Sequence, residues 1–383
     1  MTTQKALFPL FFLLALIVSQ ISPAYVVFCL LAVLWFVQMG SAGRWAPSLR
    51  SSAAVLVGLQ AVLLILSTIF SRDPATSARH LAGVSILLIL PIGMDLLADP
   101  RKARTVFCGL GASGILLSLD GLWQFAHGGG TLDNRIRATL SHTMTFSGLA
   151  MVAGCILLGF AFEERGRWRW IGLAGLVPLA VMLLTFTRNT YVGTIAALLV
   201  YLVVRRPRRI ILLGPALLVV FLLVPSAIRG RIRSIADLKD LTNHDRIAMM
   251  HAGLRMIADF PLFGLGPEMV RPYYVLYRDP DALFFQVPHL HNNTLQVAAQ
   301  SGLFAAAAYL ALMGLFFART IRLLRREDRP DRAALLAGAL LAGTALFVAG
   351  FFEYNWGDTE VQMALLFVLA VAFSPAVAPR PQG

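Results

Sequence analysis

The sequence is poor in charge and poorer still in acid. Charged residues make up 14% of the 383 positions, and 33 Lys and Arg stand against 20 Asp and Glu, for a net charge of +13. Hydrophobic residues reach 58% and mean hydropathy is +0.73, a balance that excludes a soluble globular domain and defines an integral membrane protein. Cysteine is equally scarce. Cys29, Cys108 and Cys155 all lie within apolar runs, so neither a disulfide framework nor a thiolate zinc site is indicated. Walker sequences, Rossmann glycine fingerprints and Cys/His metal spacing are missing, which removes the signatures of nucleotide-driven chemistry. No cofactor and no metal are expected. No repeat, low-complexity tract or terminal soluble domain stands out either.

What the chain does have is apolar runs. Stretches of roughly 17 to 25 residues suffice to cross the hydrocarbon core as helix, and twelve candidates lie near 6–22, 24–40, 53–70, 80–97, 104–126, 143–162, 169–186, 189–204, 209–225, 294–317, 333–351 and 361–377. The first has Lys5 as its only basic residue and no small-residue cleavage site after it, so it reads as a retained helix rather than a signal peptide. The expected fold class is all-α, with about twelve transmembrane helices. Residues 1–225 would hold helices 1–9, 226–293 a loop domain, and 294–383 helices 10–12 with a tail.

Charge sets the expected orientation. With the N-terminus inside, 20 of the Lys and Arg fall in cytoplasmic segments, among them Arg44, Arg165, Arg169, Arg205, Arg209 and Arg380. The short outer loops hold only Arg72, Arg79, Arg135, Arg137 and Arg188, and the remaining basic residues lie in the long loop. That asymmetry predicts cytoplasmic termini and an external loop at 226–293. A connector of that length is either functional or disordered, and its composition argues for order. In TNHDRIAMMHAGLRMIADFP, Ile247, Met250, Leu254 and Ile257 recur at helical spacing, Thr242 and Asp245 are placed like a capping box, and Pro261 closes the run. An amphipathic helix on or over the membrane surface is predicted. Further on, RPYYVLYRDPDALFF supplies interfacial aromatics together with Arg271 and Arg278.

Three polar constellations sit at the outer ends of apolar helices. PHLHNNTLQVAAQSG brings His289, His291, Asn292 and Asn293 to the mouth of helix 10, with Asn292, Gln296 and Gln300 on one face. Two readings fit: a cap with interhelical amide bonds, or a site in which His291, or failing it His289, accepts a proton. Arg188, in LLTFTRNTYVG, has no acid next to it in sequence and is surrounded by hydroxyls and an amide. Its planar fork suits phosphate, although an isolated boundary arginine can also snorkel into headgroups. Asp120 and Gln124, in LSLDGLWQF, form an intramembrane pair that serves either function or a structural ion pair.

Together TFTRNTYVG, DRIAMMHAGLRMIADFPLFGLGP and HNNTLQVAAQSGL resemble three successive motifs of the O-antigen ligase and O-antigen polymerase superfamily. The specific part of the resemblance is residues 185–303. It implies a GT-C-like fold in the bacterial inner membrane and glycosyl transfer at the periplasmic face, from a polyprenyl (undecaprenyl) diphosphate-linked glycan to a sugar of the lipid A core oligosaccharide. Arg188 and Arg246 would hold the diphosphate and His291 would act at the acceptor hydroxyl. Arg271, Arg278, Asn292, Gln296, His289, Asp120 and Gln124 are the further candidate substrate contacts. Gln300 and Ser301 stand where many members place an acid before Gly-Leu. Donor energy is stored in the sugar-diphosphate bond, so no ATP is needed; fixed arginines can stabilise the leaving diphosphate, in place of a divalent cation, and attack opposite to it inverts the anomeric centre. The alternatives are an O-antigen polymerase, a protein O-oligosaccharyltransferase, and a transporter or flippase. The last is disfavoured by the lack of paired broken helices in matching halves.

Overall fold

The computed structural model describes residues 2–42, 46–237 and 240–378, so Arg44, Lys239 and Arg380 lie outside the described residues. The α-helices run in the order α1 (Thr2–Leu16), α2 (Ile21–Ala42), α3 (Ser52–Ile69), α4 (Pro74–Ala78), α5 (Ile89–Leu96), α6 (Pro100–Ala126), α7 (Thr143–Glu163), α8 (Gly166–Leu173), α9 (Leu176–Leu183), α10 (Arg188–Arg205), α11 (Leu213–Leu223), α12 (Ser226–Arg233), α13 (Leu241–Asp259), α14 (Val270–Tyr277), α15 (Asn293–Ser301), α16 (Leu303–Arg326), α17 (Pro330–Ala349) and α18 (Thr359–Phe373). No strand occurs among the described residues. The chain is an all-α multi-pass membrane protein.

Helices cover all twelve apolar stretches, and 7 helical segments are long and apolar enough to cross a membrane: Ile21–Ser41, Ser52–Ile69, Pro74–Leu96, Pro100–Ala126, Thr143–Glu163, Leu303–Arg326 and Pro330–Ala349. Of the other five stretches, 189–204 forms the continuous 18-residue α10, which carries an arginine at each end, and the rest form shorter or interrupted helices. The run at 169–186, for example, divides into α8 and α9 where Gly172 and Gly175 press against the backbone of α7.

At the centre stand α7 and α17, buried almost all round. They meet through Gly159 and Gly338, where any Cβ would strike backbone; small residues permit that approach and the dispersion contacts that hold membrane helices together. The Thr143 end of α7 carries the long 226–293 segment and the polar constellations. Its Glu163 end gathers Arg104, Arg205, Arg206 and Glu164.

Residues 226–293 are folded around a small core of their own, built from Met249, Met256, Leu265, Met269, Tyr274 and Leu290 with Ala299 of α15. Within it α13 begins at Leu241, capped by Asp240, whose side chain accepts from Thr242 N and Asn243 N. Thr242 and Asp245 therefore do not form the cap; Asp245 is buried and accepts from Leu283 N at 2.8 Å. The helix buries Ala248, Met249, Ala252, Gly253 and Met256 and leaves Ile247, Met250 and Leu254 exposed. An outward apolar stripe is what a helix resting on a lipid surface presents.

The PLFGLGP turn that follows is stitched to helix 10. Leu265 N and Gly266 N donate to Ala299 O and Gln300 O, both at 2.9 Å. This contact breaks helix 10 into α15 and α16 at Gly302, whose φ of +87° and lack of Cβ admit the Leu262 carbonyl.

Candidate active site

A cavity of about 630 Å³ opens at the Thr143 end of α7, lined among others by Arg135, Arg271, His289, His291, Gln296 and Glu353. Its floor depends on the asparagines. Asn293 N donates to Gly350 O at 2.7 Å and its Oδ1 accepts from Trp356 N at 3.0 Å; Asn292 caps α15 through Leu295 N and donates from Nδ2 to Phe351 O at 3.2 Å. Both side chains thus fasten the 350–356 turn to α15. Gln296 accepts from Leu290 N and donates to Gln300. The amide stripe of the sequence is largely scaffold, and what it positions is Glu353 beside His291.

Glu353 is buried and accepts from His291 Nδ1 at 3.0 Å, with His289 Nε2 at 3.3 Å from its other oxygen. Burial alone would raise its carboxyl; the hydrogen bond from His291 and the two imidazoles outweigh that and hold it below the usual range, ionised. Burial also pushes His289 down to about 4, despite the pull of Glu353 and with help from His291, Arg246 and His142. His289 is therefore neutral. Because its Nδ1 accepts from His291 N at 3.3 Å, its proton sits on Nε2, toward Glu353. For His291 the carboxylate takes up Nδ1, leaving Nε2 with no hydrogen bond among the described residues.

Arg135 lines the same cavity and Arg246 acts on Glu353, and both are coupled by charge to Arg188, as is Arg231. Arg188, at the start of α10, is only 6% exposed. It donates to Ser234 O at 2.9 Å, to Ser234 Oγ at 3.2 Å and to Asp240 Oδ1 at 3.3 Å. Arg231 donates to Phe186 O at 3.2 Å. Arg135 and Arg246 make no hydrogen bond among the described residues. Burial, together with the like charges of Arg188 and Arg135, pushes Arg231 down to about 10. Arg135 is lowered by burial and by Arg188, and Arg246 by burial and Arg188 against the pull of Glu353 and Asp240. Four like charges, with Asp240 acting on Arg188, Arg231 and Arg246 and Glu353 acting on Arg246, form a preorganised place for a polyanion.

Strain concentrates here as well. Positive φ at non-glycine residues occurs among the described residues at Ala138, Phe186, Glu268 and His291. Glu268 and His291 line the cavity, Phe186 receives Arg231, and Ala138 follows Arg135 in the 127–142 loop. Each such residue costs on the order of 1–3 kcal/mol, held by surrounding contacts, and clusters of them mark functional sites.

The remaining sequence candidates have other surroundings. Arg278 clamps its own loop, donating to Ala282 O at 2.6 Å and lying over Phe285. Gln124 pins the 127–142 loop by accepting from Arg137 N and Ala138 N, both at 3.1 Å. Asp120 is not part of the cavity lining; one of its oxygens is buried without a partner. Arg271 lines the cavity and is exposed. Sequence reading did not assign Glu353, Arg135, Arg231 or Asp240 to the site. The signal for Glu353 was the polar string EYNWGD interrupting two apolar helices.

A divalent cation is the one group these side chains could hold: ligand atoms of His289, His291 and Glu353 lie within 4.8 Å of one another. Arg246, whose charge is felt at both Glu353 and His289, opposes a cation there.

The fold and cavity thus define a membrane protein with a histidine–carboxylate pair set beside an arginine cluster. Residues 173–310 match the family model described as O-antigen ligase, which supports the O-antigen ligase and polymerase superfamily and does not separate the two branches. A comparison with curated proteins finds no match.

Proposed function

We propose that the chain is a metal-independent, inverting membrane glycosyltransferase that moves an O-antigen glycan from undecaprenyl diphosphate to the lipid A core oligosaccharide. The site would face the periplasm in a GT-C-like bundle of the inner membrane, with both termini cytoplasmic. The carrying observation is that His291, oriented by Glu353, shares one cavity with Arg135, while the charge of Arg246 acts on Glu353 and is itself opposed by Arg188. The O-antigen ligase family match supports the same reading.

In this reading Glu353 holds Nδ1–H of His291, and Nε2 takes the proton of the acceptor hydroxyl as its oxygen attacks the anomeric carbon. The bond from that carbon to the diphosphate breaks, and its electron pair leaves on the phosphate oxygen. Arg188, Arg231, Arg246 and Arg135 stabilise the charge that develops there. The arginines occupy the role a divalent cation fills in other phosphate chemistry.

Two measurements test this. A deletion strain should accumulate long polyprenyl-linked polymer with bare core; a single repeat attached to the core would instead identify a polymerase. Purified protein should transfer glycan in excess EDTA with little loss, and a requirement for added magnesium or manganese would assign the His289, His291 and Glu353 cluster to a metal.

A further inference from the structure

A second cavity, of about 570 Å³, lies at the Glu163 end of α7. The 21 residues of α7 separate it from the His291 site by about 30 Å at about 1.5 Å per residue. Arg165, Arg169, Arg205, Arg206, Arg209 and Asp328 line it, with Glu163 and Glu164 at its rim. The carboxylates do not neutralise it. Glu163 is committed to Arg205 at 3.1 Å and Arg206 at 3.5 Å, and Glu164 to Arg104. The side chains of Arg165, Arg169 and Arg209 make no hydrogen bond or ion pair among the described residues, which leaves three free guanidinium groups against the carboxylate of Asp328. The buried Nε of Arg206 also has no partner.

The backbone adds to the same field. Helix α8 starts at this cavity, and its N-cap, Arg165, supplies no side-chain hydrogen bond. The first-turn N–H groups and the positive end of the helix dipole are therefore open to an anion. Beside the cations the surface turns apolar: Trp170 follows Arg169, and Ile211 and Leu212 follow Arg209, all strongly exposed. Free phosphate would gain nothing from those side chains, whereas a lipid would lay acyl chains on them and its phosphate among the arginines.

We propose that this cavity binds the headgroup phosphate of an anionic phospholipid, in the leaflet opposite the His291 site. It is a lipid site distinct from the one for the glycan donor.

The full-length protein, purified in mild detergent, is titrated with phosphatidylglycerol or phosphatidylcholine and bound lipid is counted by native mass spectrometry. Phosphatidylglycerol should be retained roughly tenfold more strongly than phosphatidylcholine, and the triple variant R165A/R169A/R209A should lose most of that preference. Arg169→Glu, a single change at an unpaired residue, serves if the triple variant unfolds, and should reverse the preference. Inorganic phosphate in a parallel titration should displace little lipid. Equal retention of both lipids, an unchanged preference in folded variants, or full displacement by phosphate would each overturn the proposal.

Discussion

Two buried glutamates, one at each end of the bundle, are held by different partners. Glu163 accepts from Tyr201 Oη at 2.7 Å and is gripped by Arg205, which also donates to the carbonyls of Leu324 and Glu327. Glu353 is held instead by the imidazoles of His289 and His291. A guanidinium stays charged at any relevant pH, so the Glu163 cluster is a fastener joining α7, α10 and the end of α16. An imidazole exchanges its proton near neutrality, so the Glu353 cluster can do acid–base work. The arginines that touch each site differ too: Arg205, which grips Glu163, is spent on acceptors, while the side chains of Arg135 and Arg246 near Glu353 make no hydrogen bond among the described residues. The residue types at the two ends overlap, and the partners decide which end is structural.

That contrast breaks most sharply at His291. His291→Ala should lower the transfer rate by about 10²- to 10⁴-fold with donor binding retained, and Glu353→Gln should lose about 10²-fold because a neutral amide no longer orients the imidazole. Single-turnover assays at matched expression check both, and near-native rates in a folded His291→Ala protein would remove the base from this position.

Arg188→Lys comes next. It keeps the charge but loses the fork that spans Ser234 and Asp240, so it should fall nearly as far as Arg188→Ala, by about tenfold or more, since a charge-assisted hydrogen bond contributes about 1.5–3 kcal/mol. Arg72→Ala, in the short connection between α3 and α4, is the control, and transfer should stay within about threefold of wild type. Lysine rescue at position 188 would reduce that residue to a diffuse charge.

At the other end, Glu163→Gln should leave transfer rates unchanged but lower the unfolding temperature, because the half-buried Arg205 loses its charged partner at a cost of about 1–3 kcal/mol. Thermal unfolding in detergent, run beside the assay, separates the two glutamates: one variant loses activity, the other stability.

The smallest effect concerns pH. Burial holds His289 near 4 in the folded protein, while an unfolded imidazole titrates at about 6.5. The folded state therefore favours the neutral ring, and this contribution to stability is present above about 6.5 and lost as pH falls toward 4. Unfolding temperature should decline over that window, and His289→Gln should flatten the decline.

Much of this architecture was legible in order along the chain. Apolar runs marked all 7 helical segments that are long and apolar enough to cross a membrane among the described residues, and basic residues gather at the end of the bundle away from the long segment. TFTRNTYVG and PHLHNNTL announced polar groups at helix mouths, and Arg188 and His291 do come to one face of the molecule. Ile247, Met250 and Leu254 gave away an amphipathic helix, although its cap lay at Asp240, before the Thr242 to Asp245 pattern that suggested one.

The sequence by itself determined what is periodic or local: a helix needs about twenty apolar residues in a row, and such a run can be counted. Only the tertiary structure decided which polar groups meet. Glu353 lies 62 positions from His291 and reaches it because Asn292 and Asn293 fasten the intervening turn, a contact with no period to betray it. Arg135, from the 127–142 loop, and Arg231, from α12, join Arg188 for the same reason. Gln124 and Arg278, read as candidate substrate contacts in the sequence, are hydrogen-bonded to neighbouring backbone. A polar side chain's role depends on where its hydrogen-bond partners fall in space, and that is fixed only when the helices pack.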